Sequence, residues 1–355
     1  AAIRLLDNAP ARGHWIAARD LRRSHQGREP VASVGRRLGG WIGGGLTALL
    51  LALAPGHIVI SSVARPYAML VLFLLTAVWF ALRCVGSDEP GRITRLPGGV
   101  AMNIAMTLHR FGLRSALLTA VGRDSEGEEL LVECAARGMV TSFVHRPKGL
   151  PTDRYMAIEG PSGLVAAVAD AHTLEAAGDA ILAPLEDGRL GSKDAPYKHV
   201  IALDGNLTQE LLQDICSRES FARADLRVAP ASPGKARRLA PLMHHAGATL
   251  YVNREEAGYL TDTLYSTALE AAQGLISAGA HRVLVTDGGD AAADGHHERG
   301  VIQTPCPKVQ VRRITGAGDT FMAAHIAAEL DGQSPQNALE TAQKSAARYV
   351  SGEDL

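Results

Sequence analysis

Aromatic residues are scarce in this 355-residue chain, at 5%, and its cysteines are few: Cys84, Cys134, Cys216 and Cys306, far apart and with no CxxC pair. They give neither a zinc pattern nor a disulfide framework, so the expected compartment is the reducing cytoplasm. Net charge is nearly absent too, at −1, which argues against a protein that coats nucleic acid. No uninterrupted apolar run reaches the roughly 20 residues that a membrane-spanning helix needs. Internal repeats and low-complexity linkers are missing as well. With 46% hydrophobic residues the chain is neither wholly disordered nor collagen-like, and its length allows one large or two ordinary domains.

The first ninety residues differ from the rest. Positions 1–40 hold eight Arg against Asp7, Asp20 and Glu29, about +5, which leaves about −6 for the remainder. No charged residue occurs from Leu38 to Ala64, and a second uncharged stretch, YAMLVLFLLTAVWFAL, fills Tyr67–Leu82 after Arg65-Pro66. One reading is a membrane hairpin oriented by the basic segment through the positive-inside rule. The reading adopted is that His57–Ala64 (HIVISSVA) is a buried first strand and Tyr67–Val85 further core. A secretory signal is excluded by the late start of the apolar run.

From Gly86 onward strand and helix patterns alternate, which predicts a doubly wound, mostly parallel α/β sheet with helices on both faces. Ala101, Ile104, Ala105 and Leu108 have helical spacing and run to Gly112, a C-terminal cap. Ser115–Val121 reads as a buried strand, and Ser125 with Glu128 as a capping box opening a helix that ends near Gly138. Tyr155–Glu159 and Leu164–Val168 flank Gly-Pro-Ser-Gly and predict a hairpin. Strands are expected at His199–Leu203, Ala248–Val252, Arg282–Thr286 and, less regularly, Val309–Arg312. Helices are expected at Thr208–Ser217, Pro233–His244, Ser266–Ala278, Ala317–Leu330 and Pro335–Val350.

The sharpest chemical feature is Thr315-Gly316-Ala317-Gly318-Asp319. Small residues let backbone approach a ligand, and the helix that follows aims free N–H groups and its positive end at an anion, most simply a phosphoryl group. Asp319, in its first turn, would accept a proton from an attacking hydroxyl. The bland alternative is a glycine turn with an acidic helix start. Gly98-Gly99 leads to Asn103, whose amide suits sugar hydroxyls or merely sits beside a hinge. Asn253 and Glu256 end a strand where α/β sheets gather ligands; they would hold Mg²⁺ through its waters, or simply begin a helix. Thr286 and Gly288 close another strand in a turn suited to nucleotide phosphate, and Asp204 and Asn206 a third, near substrate. His244-His245 and His296-His297-Glu298 lack a third metal ligand at workable spacing and read as solvated or core histidines.

In chain order these pieces resemble the PfkB (ribokinase-like) carbohydrate and nucleoside kinases: Gly98-Gly99-Val-Ala-Met-Asn103 with Gly112, Val121-Gly122-Arg-Asp124 with Gly127, Asn253-Xaa-Xaa-Glu256, Val285-Thr286-Asp-Gly288 and Thr315-Gly-Ala-Gly-Asp319. Within the family, PGRITRLPGGVAMNIA, LDGNL and TLYVNREEAGYL are most similar to pseudouridine kinases. The resemblance implies Mg-ATP as donor, a small lid of strands over the sugar and Asp319 as general base. It also implies an anion hole from Gly316, Ala317 and Gly318, and nucleotide contacts from Asn253, Thr286, Gly288 and Thr315. Asn253 and Glu256 would organise Mg²⁺; Gly98, Gly99, Asn103, Asp204 and Asn206 would face the sugar. A homodimer is the expected assembly, with no nucleic-acid partner.

Three departures accompany the resemblance. No Asp occurs between Asp20 and Asp88, where the first strand of the family supplies a substrate-gripping one; Arg313 replaces an acidic or amide residue that helps hold a monovalent cation; and a glycine expected near Ala291 is missing. These divide the chain into an extension of unclear role, 1–56, and a kinase domain, 57–355, with an atypical lid position at 61–97. The competing readings are another sugar or nucleoside kinase (ribose, adenosine or fructose type), a catalytically impaired kinase fold tethered to membrane, and a DNA-binding regulator resting on N-terminal charge alone.

Overall fold

The computed structural model describes residues 96–160 and 163–353. The apolar stretches at 38–64 and 67–82, the first-strand expectation at His57–Ala64 and the 56/57 domain boundary lie outside them. Among the described residues no helix is long and apolar enough to cross a membrane.

Six strands form one sheet in chain order: β3 (Val200–Asp204), β4 (Asp225–Ala229), β5 (Ala248–Asn253), β6 (Arg282–Thr286), β7 (Ala292–His296) and β8 (Gly300–Thr304). The first four run parallel and the last two antiparallel. Strand geometry turns alternate side chains to opposite faces. Leu250, Val252, Val283 and Val285 join the core on one face, while Tyr251 and Leu284 join the core on the other. Each such aliphatic side chain contributes about 1.5–3 kcal/mol on full burial.

The first face is covered by α4 (Gln209–Ser217), α5 (Arg254–Thr261), α6 (Ala268–Ser277) and a 3₁₀ run at Pro233–Leu242; the second by α1 (Val100–Arg110), α7 (Ala317–Leu330) and α8 (Pro335–Ser351). Helix α7 is apolar all round, with Phe321, Met322, Ala323, Ala324 and Ile326 buried. An all-round apolar helix must be enclosed on every side, and its alanines let it fit between α1 and α8. Below the sheet, at the strand starts, Arg227 and Arg282 share Glu329 and pair with Asp225 and Asp294. This ion network stands at the end opposite the ligand-gathering strand ends.

A separate antiparallel pair, β1 (Arg154–Gly160) and β2 (Gly163–Asp170), forms the expected hairpin. Its entry is tied to the helix α2 (Ser125–Ala136) through Asp124, which accepts from the Gly127 and Thr152 backbone N–H groups. The tie explains two of the motif glycines. A Cβ on Gly122 would lie 2.4 Å from Thr152 N, and one on Gly127 2.3 Å from Gly122 O.

Several expectations need correction. Asp124, not Ser125, caps α2, and Glu128 pairs with Arg146 instead of closing a capping box. Pro233–Leu242 is 3₁₀, because Pro241 withholds the N–H an α-helix would use. Ser115–Val121 forms only isolated parallel bridges, Ala116 to Val140 and Ala120 to His145. Val309–Arg312 is not a strand; the Arg312 and Arg313 N–H groups turn instead to the Val350 carbonyl. A cavity of about 460 Å³ opens between residues 113–119 and β3, walled mostly by Ile104, Leu108, Leu182, Leu185 and Ile201. Its lining is apolar, and only Asp204 at its rim belongs to the candidate site.

Candidate active site

Helix α7 begins at Gly316, in the left-handed region at φ 93°. A side chain there would be strained whatever the space, and its Cβ would also lie 2.6 Å from the Tyr349 hydroxyl. At Gly318 the backbone is not left-handed and a Cβ would meet nothing within 4 Å, so that face of the tip is open. Of the three amides expected to make an anion hole, Ala317 N–H is already donated to Ile314 O at 3.0 Å. The N–H groups of Gly316, Gly318 and Asp319 have no acceptor among the described residues. A helix start with free, converging amides attracts an anion.

The loop is anchored from outside by α8. Tyr349 Oη donates to Thr315 O at 2.8 Å, Arg313 Nε donates to Tyr349 O at 2.7 Å, and the Arg313 guanidinium lies 3.9 Å from the Tyr349 ring centroid. Arg313 therefore lies on the tyrosine at the outer side of the loop.

Asp319 is held by α1. Asn103 Nδ2 donates to Asp319 Oδ2 at 2.7 Å. Burial pushes the Asp319 carboxyl up to about 6, against the lowering effect of the Asn103 bond and with help from the Asp204 charge. A carboxylate with that value is ionised at neutral pH yet basic enough to take up a proton. Gly99, with φ 105°, caps α1, and its carbonyl accepts from Asn103 N–H at 2.9 Å; Gly98 is buried just before it. The glycine pair thus sets the helix that aims the amide.

Asp204 and Asn206 follow β3. Asp204 Oδ2 accepts from the Ala101 N–H at 3.3 Å and its Oδ1 from the Asn206 N–H at 2.7 Å. The carboxylate therefore caps the α1 start from a neighbouring strand, a charge placed where the helix dipole favours it. Asn206 Oδ1 accepts from Lys235 Nζ at 2.8 Å. Lys235 carried no sequence signal, being one lysine in a helix-like stretch.

At the end of β5, Asn253 and Glu256 make a reciprocal capping box: Glu256 N–H donates to Asn253 Oδ1 and Asn253 N–H to Glu256 Oε2, both at 2.8 Å. The helix-start reading of this motif is what the structure shows, and the same helix start leaves Glu256 buried. Burial raises its carboxyl to about 7, with Glu255 and Asp319 adding to the rise. Thr286 ends β6 beside Asn253, and Gly288, φ 57°, turns the chain toward β7 with open space where a Cβ would be. Asp287 in that turn is held by Arg254 Nε at 2.8 Å. Ala291 is not in the left-handed region, so the missing glycine costs no strain there.

Across strand ends β3, β5 and β6 and the tips of α1 and α7, then, an open glycine-lined helix start with unbonded amides adjoins a buried carboxyl of raised pKa. The pfkB family carbohydrate kinase profile matches residues 75–354. The chain belongs to that family. It is an ATP-dependent sugar or nucleoside kinase with the ribokinase-like fold. It is 28% identical over 276 residues to the pseudouridine kinase of Escherichia coli K12, covering 75% of this chain and 83% of that one. Among solved structures, a carbohydrate kinase from Agrobacterium tumefaciens matches with TM-score 0.60 and 24% identity over 76% of this chain and 86% of its own. A ribokinase from Thermotoga maritima matches with TM-score 0.60 and 20% identity over 75% and 84%.

Proposed function

We propose that this kinase transfers the γ-phosphoryl group of ATP to the 5′-hydroxyl of pseudouridine. The bond between Asp319 and Asn103 beside the unpaired amides of the α7 tip is the observation that carries the phosphoryl-transfer reading. The likeness to the pseudouridine kinase of E. coli favours the acceptor.

In this reading Asp319 takes the hydroxyl proton as the acceptor oxygen forms its bond to the γ-phosphorus. The bridging bond to the β-phosphate breaks, and its electron pair leaves on ADP. The N–H groups of Gly316, Gly318 and Asp319 face the charge on the migrating group, and most of the acceleration comes from such placement and electrostatics. Asn103 and the Gly98-Gly99 turn orient the acceptor side; Asp204 holds α1 in place for them. Thr286, Gly288 and Thr315 line the nucleotide side.

Mg²⁺ fits the residues present. Glu256 is buried with its carboxyl raised and has one oxygen left over from the capping box, a charge that a nearby cation would stabilise. Among the described residues no group of three or more His, Cys, Asp or Glu could cage a metal, which suits an ion held by phosphates and water with little direct protein ligation. When bound, Mg²⁺ neutralises developing phosphate charge. Arg313, laid on Tyr349, already supplies positive charge behind the loop, and supports turnover without potassium.

The three described cysteines are unpaired, as suits a cytoplasmic enzyme. Met156, Ile158 and Val168 are exposed on one face of the hairpin, which suits a homodimer closed through the lids. ATP consumption measured against pseudouridine, uridine, ribose, adenosine and fructose tests the function. Highest kcat/KM with pseudouridine is expected; preference for another acceptor would reassign the substrate, and no turnover with any would reject the kinase assignment.

A further inference from the structure

Resting on the kinase reading, we infer that Lys235 grips the γ-phosphoryl group of the donor, with Asn206 as the perch that holds its ammonium in the cleft. Strand order places it there. Asp204 and Asn206 stand at the end of β3, on the acceptor side with α1, whereas Asn253 and Thr286 end β5 and β6 on the nucleotide side. Lys235 follows β4, the strand between them, so its side chain enters where a group passing from donor to acceptor must cross.

Charge points the same way. The side chains assigned to the cleft are carboxylates or neutral: Asn103, Asp204, Asn206, Asn253, Glu256 and Asp319. Asp319 feels the Asp204 charge and Glu256 feels that of Asp319, so three carboxylates share this end of the sheet. A polyphosphate entering it needs a cation. Lys235 is half-buried, and its Nζ contact is the neutral Asn206 oxygen at 2.8 Å; it makes no ion pair among the described residues. Burial and the neighbouring Arg238 lower its pKa, with the charges of Glu175 and Asp204 opposing. A partly desolvated ammonium with no carboxylate in direct contact gains most from an incoming anion.

The perch is rigid. Arg238 Nη1, from the same 3₁₀ segment, donates to the carbonyls of Gly205, Asn206 and Leu207 at 3.3–3.4 Å and also reaches Glu175. Arg238 thus spends its charge on the loop and on Glu175, while Lys235 keeps its charge for a ligand.

Calorimetric titration of the full chain with ATP, ADP and inorganic tripolyphosphate, each with Mg²⁺, tests the assignment on wild type, Lys235→Met and Lys235→Arg. In Lys235→Met, ATP and tripolyphosphate affinity should fall at least about tenfold and ADP affinity less than about threefold, with kcat reduced and Tm unchanged; one lost charge-assisted bond accounts for that size. Lys235→Arg should recover most of the ATP affinity. Unchanged ATP affinity in Lys235→Met, or a lower Tm with intact affinity, overturns the inference and leaves the kinase reading standing. Wild type that binds tripolyphosphate through Lys235 but phosphorylates no acceptor rejects the kinase reading alone. Wild type that binds neither ATP nor tripolyphosphate rejects both.

Discussion

Asn103, in the first turn of α1, donates its side-chain amide to Asp319 Oδ2 at 2.7 Å, joining two helix tips 216 residues apart in sequence. The bond holds the carboxylate in one orientation and stabilises its ionised form. Asn103→Ala should therefore lower kcat about tenfold at pH 7, the worth of a hydrogen bond to a charged group. It should also move the pH midpoint of kcat upward, because the group that lowers the Asp319 pKa is gone. A pH profile of the variant checks this; an unmoved midpoint would mean that the bond only supports the fold.

In the wild type, kcat should rise with pH through about 6, the value to which burial brings Asp319. A base works only when deprotonated, so the rate should fall about tenfold per pH unit well below that point and level off above it. Steady-state rates from pH 4.5 to 8 at saturating ATP check the sign. A rate that rises on acidification would assign Asp319 another role.

The glycines of the α7 tip separate ligand space from turn geometry. Gly318→Ala enters open space in a first helical turn and should raise stability by up to about 1 kcal/mol, through helix propensity. It should nevertheless cut kcat/KM for ATP at least about tenfold, because the new methyl group stands where phosphate must lie. Gly316→Ala puts a Cβ at φ 93° and against Tyr349, and should cost about 1–2 kcal/mol of stability as well. Thermal melts beside nucleotide kinetics distinguish the two; equal behaviour would make the tip an ordinary turn.

Much of this was legible in the chain. Arg282–Thr286 and Ala317–Leu330 appear as read, since each is an apolar run bounded by turn residues, and the residues of the glycine tip do lie beside Asn103. What escaped did so for physical reasons. Strand β4 carries Arg227, a charge no buried strand should hold; besides Asp225 two residues before it, its partners Glu329 and Tyr251 come from other segments and satisfy it only in the fold. Strand β7 reads AADGH, with Gly295 small because Ile276 and Val283 come within 3.1 Å of where its Cβ would stand. Val309–Arg312 alternates like a strand, but its outer neighbour is the end of α8. Lys235 was invisible because its meaning depends on Asn206, across a strand connection.

Glu256 offers a stability test with a defined sign. Its folded pKa, pushed by burial to about 7, lies above the ordinary carboxyl range, so the folded state holds the proton more tightly than the unfolded one. The group favours folding at pH values below the unfolded pKa, and that contribution is lost as pH rises through about 7. Glu256→Gln, which keeps the capping box, should leave Tm nearly unchanged at pH 4 and raise stability by about 1–3 kcal/mol at pH 8 without Mg²⁺. The same variant should need more Mg²⁺ for half-maximal rate. Melts at both pH values check the first part; a variant less stable at pH 8 would show that the ionised carboxylate is held by favourable partners.

The central claim is that Asp319 removes the proton from the acceptor alcohol beside the α7 amides. The direct measurement is kcat of Asp319→Asn, with ATP affinity measured on the same preparation. The account predicts a fall of about 10²–10⁴-fold in kcat with ATP affinity within a few-fold of wild type; turnover at the wild-type rate would contradict it.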